Sequence, residues 1–376
     1  MPDSLSQFAR DLMEDIRRMS PRNPADAEAW FGAQAWRLHR LQAAANPVCR
    51  AADGAGSLSE GDGGDWRTIP PVPAAAFKEW DVTALLEPER LRVFCSSGTT
   101  GQVPSRHHHS RESLAVYEAS VISWFGPHLV PDGDRAPLRW MSLTPAAAVA
   151  AQSSLAHMME TVSRRWEASP SAPDHPFYFG TVDSDGAWQV SVPEVIQALE
   201  AAVAAGMPVL LMGTAFNCVH LLDSMALRGL RLRLPAGSRV METGGYKGRS
   251  RTLTRTELHG AIGERLGLPA ACVVSEYGMS ELSSQAYDGV AGAVASPRIF
   301  RMPPWARALV VSVETGQEVT EGGTGLLRLL DLANVWSAMA VQTADLAVRR
   351  GGGFELLGRA PAAEARGCSL RSPDGD

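Results

Sequence analysis

The segment CSSGTTGQVPSRH, from Cys95 to His107, has the residue types of a loop that binds phosphate groups. Glycines there let backbone N–H groups turn towards an anion, and the hydroxyl side chains between them can donate further hydrogen bonds. A Walker A loop is excluded, because no Gly-Lys-Ser/Thr follows at the required spacing. Segments of this composition also serve as plain connectors, so this one alone leaves both interpretations open. The candidate donors are Ser96, Ser97, Gly98, Thr99, Thr100 and Gly101.

Two further segments carry residues that favour nucleotide chemistry. SEYGMSE, residues 275–281, follows a predicted strand and places the ring of Tyr277 four residues before the carboxylate of Glu281. QTADLAVRRGGGFELLGR, residues 342–359, places Asp345 on one strand of a predicted hairpin and Arg359 just past the other. Together the three segments resemble the SSGTTG, YGxTE and TxDL…GF…LGR signatures of the adenylate-forming enzyme superfamily, with Ser280 where threonine is usual.

The resemblance narrows to the LuxE-type acyl-protein synthetases and extends from about Ile69 to Leu370, about four fifths of the chain. It implies an α/β fold: a large adenylation domain of mostly parallel sheets flanked by helices, with a β-rich C-terminal subdomain. It also implies a ligase that uses ATP and Mg²⁺ to activate a carboxylic acid, a fatty acid in this family, as acyl-AMP and then transfers the acyl group to a cysteine thiol. The segments that carry it are FKEW (77–80), GTAFNCVHLLD (213–223), METGGYKGRSR (241–251), EYGMSELSSQAY (276–287) and GRAPAAEARGCSL (358–370).

The resemblance also implies roles for individual residues. The six loop residues Ser96–Gly101 would hold the β- and γ-phosphates, and Glu281 would bind Mg²⁺. For the nucleoside, Tyr277 would pack beside adenine, Gly244 and Gly245 would let the backbone approach it, Asp345 would accept hydrogen bonds from the ribose, and Arg359 would lie near ribose and phosphate. Such an arrangement suits a reaction that joins two anions, because cations and aimed N–H groups must offset the developing charge.

Cys368 is the predicted nucleophile, since the family carries its acyl group on a cysteine near the C-terminus. Arg366, two residues before it, would favour the thiolate. The alternative is a tail thiol without a role. Cys95 and Cys272 lie beside or within predicted strands and are predicted to be core residues.

The chain departs from the superfamily pattern in its lysines. It ends seventeen residues after Arg359, so we expect the mobile C-terminal domain, which bears a catalytic lysine, to be absent. The lysine that commonly ends the phosphate loop is replaced by Ser105 and Arg106, and Arg106 would supply charge with a different reach. Of the 35 lysine and arginine residues, only two are lysines, Lys78 and Lys247. Lys247 is the candidate replacement for the missing ammonium group, and the alternatives are a surface role for it and a compositional bias towards arginine.

Histidines offer two more candidate features. His107, His108 and His109 are consecutive, but alternate side chains of an extended segment point apart, which favours one polar contact and no metal. His220 is predicted either to line an acyl pocket or to be a satisfied helix residue.

The composition limits the expected binding partners and cellular compartment of the protein. The chain is 45% hydrophobic and 20% charged with a net charge of −6, so a basic face for nucleic acid is not expected. Five widely spaced cysteines without a CxxC pair indicate a reducing compartment. With neither a signal peptide nor a membrane span predicted, we expect a cytoplasmic protein.

Hydrophobic periodicity predicts the elements that would position these residues. The first forty residues are expected to be helical, with apolar positions at Leu5, Phe8, Leu12 and Ile16 on one face. Further helices are expected near residues 25–45, 112–124, 153–163, 194–205, 217–228 and 254–267, and strands near 91–94, 140–143, 209–212, 239–243, 271–275, 308–313, 325–331 and 354–357. We predict a helical region over residues 1–68 with a mobile loop at 51–65, an α/β adenylation core over 69–305, and a β-rich subdomain with a short tail over 306–376. For Thr181–Val190 two short strands are favoured over a calcium loop.

The final acyl acceptor stays open at this point. A partner acyl reductase, an acyltransferase or a carrier protein could follow a step in which Cys368 or a partner thiol takes the acyl group. In a second hypothesis the adenylate passes the acyl group to an external amine, thiol or carrier-protein phosphopantetheine. A third hypothesis, motivated by the missing lysines, is a catalytically weak subunit that binds nucleotide.

Overall fold

The computed structural model describes residues 4–18, 24–54, 64–96, 103–133, 138–166, 177–183, 187–244, 253–295 and 297–360. These residues form two compact units. The first contains Met1–Ser123, Met279–Gln285 and Ile299–Asp376, and the second contains Trp124–Gly278 and Ala286–Arg298.

The helices of the first unit come mainly from the N-terminal part of the chain. They are α1 (Leu5–Arg18), α2 (Pro24–Ala45), α3 (Pro47–Asp53), the single turn α4 (Ala76–Glu79) and the first part of α5 (Arg111–Leu129). Helix α1 buries Phe8, Leu12 and Ile16, which recur every four residues and form one apolar stripe. Helix α3 begins where Asn46 accepts the N–H of Val48 at 3.0 Å and Pro47 takes the first helical position.

The strands of the first unit form a mostly antiparallel five-stranded sheet and a separate hairpin. The sheet consists of β1 (Val72–Pro73), β11 (Ala306–Val311), β12 (Thr324–Asp331), β13 (Ala340–Arg350) and β14 (Gly353–Arg359), and the hairpin of β2 (Arg92–Cys95) and β3 (Arg106–His109). Strand β13 is central, because it pairs with β1, β12 and β14. The parallel neighbour β1 brings Val72–Pro73, at the start of the predicted core, into one sheet with the C-terminal strands. The division into three consecutive parts stays a prediction.

The second unit has a parallel sheet with one antiparallel edge strand. Its strand order is β10-β9-β8-β7-β4, and only β10 runs antiparallel to its neighbour. The strands are β4 (Arg139–Ser142), β7 (Val209–Thr214), β8 (Arg239–Thr243), β9 (Val273–Tyr277) and β10 (Ala286–Tyr287); β5 (Gly180–Val182) and β6 (Trp188–Val190) form a hairpin. The helices are α6 (Ser154–Trp166), α7 (Val192–Ala204), α8 (Ala215–Leu227), α9 (Arg255–Leu266) and the end of α5.

The central strands of this parallel sheet are buried along their length, because helices cover the sheet. All six residues of β7 are buried. One face of the sheet, with Leu211, Val240 and Val273, shares a core with helices α7, α8 and α9. Helix α9 is delimited by a capping box between Thr254 and Glu257 and by Gly267, whose φ of 69° suits a glycine.

Most predicted elements are present, with shifted ends. The predicted α/β fold class is confirmed, and β8 has the predicted bounds. Ala51–Asp53, expected in a mobile loop, belong to α3, because Pro47 begins a helix there rather than ending one. Strand β9 begins two residues later than predicted, since a 3-10 turn takes Ala270–Cys272. The turn at Asp185-Gly186 and the predicted loop over 55–63 lie outside the described residues.

No helix in the described ranges is long and apolar enough to cross a membrane.

An ion cluster under β9 provides a stability prediction. The Asp288 carboxylate is fully buried, contacts Arg298 at 2.9 Å and Arg255 at 3.4 Å, and accepts the backbone N–H of Ser275 at 2.8 Å. Asp288→Ala should lower the free energy of unfolding by about 3–5 kcal/mol, because it leaves two partly buried cations without their anion. Denaturant titration measures this. Glu264→Ala, which breaks an exposed pair with Arg231, should cost less than about 1 kcal/mol, and equal losses would contradict the prediction.

Candidate active site

The β2–β3 hairpin closes the base of the predicted phosphate loop. Cys95 is paired with Arg106 in the ladder. Just beyond, Ser96 N–H donates to Ser105 O at 3.2 Å, and Ser105 N–H donates to Ser96 Oγ at 2.9 Å. The Ser96 hydroxyl thus helps to fix the ends of the loop. Ser97, Gly98, Thr99, Thr100 and Gly101 lie outside the described residues.

One face of strand β3 carries Arg106 and His108, and both reach Asp81. Arg106 Nη2 lies 3.2 Å and His108 Nε2 3.1 Å from Asp81 Oδ1, and Arg90 lies 2.7 Å from Oδ2. Burial alone would raise the pKa of Asp81, but hydrogen bonds and charge from His108 and Arg90 lower it. The guanidinium predicted to replace the loop lysine is therefore held by a carboxylate in this structure.

The other face of β3 points towards the second signature segment. His107 Nδ1 donates to Ser280 O at 2.9 Å, and the hydroxyls of Ser105 and Ser280 are 3.4 Å apart. Burial lowers the pKa of His107 to about 4, against the opposing effect of the Ser280 carbonyl, so the ring is neutral near pH 7. These two buried side chains connect the end of the phosphate loop to the residue before Glu281.

All three consecutive histidines make polar contacts, where the sequence predicted one. His107 contacts Ser280, His108 contacts Asp81, and His109 Nδ1 lies 3.2 Å from Ser113 Oγ. The predicted alternation is confirmed, because His107 and His109 are buried while His108 is half-buried. Each ring finds its own partner because three different segments pack against the strand.

Glu281 has the surroundings of a cation ligand. It is 7% exposed, its Oε2 accepts from Ser280 Oγ at 3.2 Å, and within the described part of the chain no cationic side chain pairs with it. A buried carboxylate is costly without a positive partner. A hard divalent cation prefers such oxygen ligands, and Mg²⁺ is often held by one or two carboxylates plus substrate phosphates. Glu281 therefore fits the role of a single protein ligand for Mg²⁺ beside substrate phosphates, since no group of three or more such side chains that could hold a metal ion occurs in the described ranges.

Asp345 and Arg359 are brought together by the β13–β14 register. They are directly paired in the ladder, with Arg359 Nε 3.5 Å from Asp345 Oδ1. The Asp345 side chain is 14% exposed, and the Arg359 side chain is 85% exposed. The backbone N–H of Asp345 donates to Thr343 Oγ1 at 3.1 Å, which fixes the strand there. An anion on a rigid strand beside an exposed cation can bind hydroxyl and phosphate groups together.

In the second unit, polar side chains gather where β8 and β9 end. Thr243 and Glu276 are ladder partners, and the Thr243 hydroxyl donates to the Glu276 carboxylate. On the opposite face, Glu242 accepts from Ser275 Oγ and lies 3.2 Å from His259 Nε2. The carboxyl ends of parallel strands are where ligands bind in open α/β sheets.

Two predicted nucleotide-binding residues follow these strands directly. Gly244 has a φ of 67°, a left-handed conformation that favours glycine, so β8 ends in a turn with no Cβ. Tyr277 is the last residue of β9 and is 7% exposed. Gly245 and Lys247 lie outside the described residues.

Glu276 provides a pH-dependent prediction. Burial raises its pKa to about 7, the Thr243 hydroxyl opposes the shift, and the Glu242 charge adds to it. A raised folded-state pKa means that stability is lost as pH rises from about 4.5 to about 7, because the unfolded carboxyl ionises first. Glu276→Gln removes this loss, so its unfolding free energy relative to wild type should rise by on the order of 3 kcal/mol from pH 5 to pH 8.

The measurement is denaturant unfolding of both proteins at the two pH values. Thr243→Val, which removes the hydroxyl that favours the charged form, should steepen the loss of stability with pH. A constant difference between Glu276→Gln and wild type would refute the assigned environment.

None of the four described thiols has the environment of an activated nucleophile. Burial raises the pKa of Cys49 to about 12 and also raises that of Cys95, Cys218 and Cys272. Cys95 and Cys272 are half-buried rather than core residues, since each lies at the border of its element. Cys368 lies outside the described residues.

The remaining candidates lie on the surface or at its edge. Lys78 is half-buried on α4. His220 is exposed on α8, where its ring stacks with Phe216 at 6.4 Å between centroids. The sequence drew attention to Ser105, His107 and Ser280 but did not predict the contacts that join them. Period-two alternation along β3 is the signal that could have grouped Ser105 with His107.

Comparisons with known proteins agree with this fold. The family model described as acyl-protein synthetase, LuxE matches residues 58–373. A crystal structure of 2-hydroxyisobutyryl-CoA ligase in the postadenylation state is similar with a TM-score of 0.62 and 13% identity, over 89% of this chain and 68% of that one. This likeness shows the fold of adenylate-forming ligases.

Weaker structural similarity extends to two other enzymes. ATP-bound MatB from Rhodopseudomonas palustris has a TM-score of 0.46 and 18% identity over 71% of this chain and 47% of that one. MenE, the O-succinylbenzoate coenzyme A synthetase from Bacillus subtilis in complex with AMP, has a TM-score of 0.44 and 18% identity. That match covers 74% of this chain and 50% of the MenE chain. The chain thus spans about half the length of these two proteins. No curated protein sequence matches it.

Proposed function

The chain belongs to the LuxE acyl-protein synthetase family, and from this premise we propose that it uses ATP to convert a fatty acid into an acyl adenylate. A carboxylate oxygen attacks the α-phosphorus of ATP, the bond between that phosphorus and the bridging oxygen to the β-phosphate breaks, and pyrophosphate leaves. The product is a mixed anhydride whose acyl carbon is open to a nucleophile.

One observation carries the proposal: the strand that follows the phosphate loop packs on the segment that bears Glu281. His107 and Ser105 both contact Ser280, at 2.9 and 3.4 Å. The described ends of the predicted phosphate loop and a carboxylate suited to a divalent cation therefore belong to one unit. A phosphoryl-transfer site needs this pairing, because positioning and charge stabilisation supply most of its catalysis.

Glu281 would hold Mg²⁺ in this account. When bound, the ion supplies positive charge that offsets the charge of the phosphates. The chain's own residues would bind and orient the nucleotide. The loop hydroxyls and N–H groups would hold the phosphates, Asp345 would accept hydrogen bonds from the ribose hydroxyls, and Arg359 would add positive charge near them. We assign Tyr277 and Gly244 to the adenine. Lys247 is proposed to replace the missing ammonium group, because Asp81 already engages Arg106.

The acyl group then passes to Cys368 in the proposed second step. The thiolate sulfur attacks the acyl carbon, the bond between that carbon and the phosphate oxygen breaks, AMP leaves as the anion, and the thiol proton goes to solvent. The unfavourable environments of the four described thiols support Cys368 as the acceptor. The thioester would then supply an acyl reductase, an acyltransferase or a carrier protein.

Intact mass tests both steps. After incubation with ATP, Mg²⁺ and straight-chain acids of graded length, wild type and the control Cys95→Ser should gain one acyl group that hydroxylamine removes. Cys368→Ser should gain none and still form acyl-AMP, because adenylation does not need the thiol. Equal acyl loading in Cys368→Ser would exclude the self-acylation step. Pyrophosphate release without loading of wild type would point to an external acceptor.

A further inference from the structure

Two consecutive carbonyl groups around Glu281 are each held by a buried side chain. His107 Nδ1 donates to the carbonyl of residue 280 at 2.9 Å, and Asn334 Nδ2 donates to the carbonyl of residue 281 at 2.9 Å. The peptide units on both sides of the Glu281 Cα are therefore fixed. The direction of its side chain follows from them, since the backbone restricts the available rotamers.

The His107 ring cannot easily move. It is 3% exposed and packs between His109, with ring centroids 4.2 Å apart, and Phe77, edge-on at 6.0 Å. A carbonyl oxygen only accepts hydrogen bonds, so Nδ1 carries the proton and the tautomer is set. The ring is thus a rigid donor aimed at one backbone oxygen.

Asn334 is equally constrained. Its Nδ2 donates to Ala338 O at 3.0 Å as well as to Glu281 O, and its side chain is buried. The hydroxyl of Ser280 completes the arrangement, because it lies within 3.4 Å of Ser105 Oγ and 3.2 Å of Glu281 Oε2. These contacts connect strand β3 and the turn between β12 and β13 to one carboxylate.

We propose that His107 and Asn334 are positioning residues that orient the Glu281 carboxylate for Mg²⁺. The inference rests on the proposed function, and it adds two residues that none of the three signature segments indicated as part of the metal site. Residues that hydrogen-bond around a metal ligand commonly change metal affinity by about 10–100-fold when they are removed. Loss of the His107 donor should therefore weaken the coupling between Mg²⁺ and ATP.

The test is the ratio of ATP dissociation constants measured calorimetrically in EDTA and in excess Mg²⁺. In wild type Mg²⁺ should tighten ATP binding, and in Glu281→Gln this tightening should be lost. His107→Gln should lose roughly 10-fold or more of it, because its amide lies too far along the side chain to replace Nδ1. His107→Asn, whose amide lies near the Nδ1 position, should keep it within about 3-fold.

Two further variants keep the test decisive. His108→Asn, on the opposite face of β3, should leave the ratio unchanged, and Asn334→Ala should lower it as His107→Gln does. His107→Asn and His107→Gln both replace the ring by an amide, so a merely structural role would affect them alike. If His107→Gln and Asn334→Ala keep the wild-type ratio while Glu281→Gln loses it, the positioning role is refuted. If wild type does not bind ATP at all, the proposed function itself fails and this inference with it.

Discussion

Glu281→Gln should reduce acid-dependent pyrophosphate release roughly 10²–10³-fold, the largest effect that we expect from a single side chain. The substitution removes the charge that would hold Mg²⁺ and keeps the shape of the side chain and its hydrogen bond from Ser280. Under saturating ATP and acid the loss should appear in kcat, because stabilisation of the departing pyrophosphate is needed in the transition state.

The stability of this variant separates function from folding. In wild type the Glu281 carboxylate is buried and no described cation pairs with it, so a neutral glutamine should not lower the free energy of unfolding. The matched control is Glu318→Gln, which removes a carboxylate paired with Arg349 at 3.2 Å in the same unit. Pyrophosphate release at the wild-type rate in Glu281→Gln would remove Glu281 from the mechanism.

Asp345→Ala should raise the KM for ATP roughly 10–100-fold, the second largest effect. The proposed hydrogen bonds from the ribose hydroxyls to a carboxylate are charge-assisted, and each such bond is worth about 1.5–3 kcal/mol. The substitution also frees Arg359 from its partner. Since the ribose is bound alike in the ground and transition states, kcat should change less than KM.

Steady-state kinetics with varied ATP and saturating acid measure this effect. Glu355→Ala is the control, because Glu355 lies on the same hairpin and pairs with Arg350 at 3.3 Å near the β13–β14 turn. It should leave the KM for ATP unchanged. An unaltered KM in Asp345→Ala would contradict the ribose assignment.

The sequence predicted the parallel sheet well because its strands are locally distinct. Strand β7, with the sequence VLLMGT, begins with four apolar residues, and its last residue, Thr214, caps helix α8. Both the strand and the following helix can therefore be predicted from neighbouring residues. The bounds and partners of strand β13 were harder to predict. Polar residues interrupt its QTADLAVRR segment, and its pairing with Val72–Pro73 joins segments about 270 residues apart. Tertiary pairing of that kind leaves no local pattern.

In the candidate site, too, local contacts were predictable from the sequence and long-range contacts were not. The hairpin that carries Asp345 and Arg359 was predicted, with Arg359 just past its second strand; in the structure Arg359 is the last residue of β14 and pairs with Asp345. Arg106 was predicted to act on phosphate, yet it contacts Asp81, 25 residues earlier in the chain. The contact between His107 and Ser280 spans 173 residues. Only the folded chain shows which of the three histidines faces the second signature segment.

Exchange of labelled pyrophosphate into ATP tests the central claim most directly, because it reports reversible formation of the acyl adenylate and needs no acyl acceptor. A panel of carboxylic acids of graded length and aromaticity should include at least one that drives exchange in wild type. Exchange should persist in Cys368→Ser and fall at least about 100-fold in Glu281→Gln. Binding of ATP without acid-dependent exchange for any acid in the panel would contradict the account.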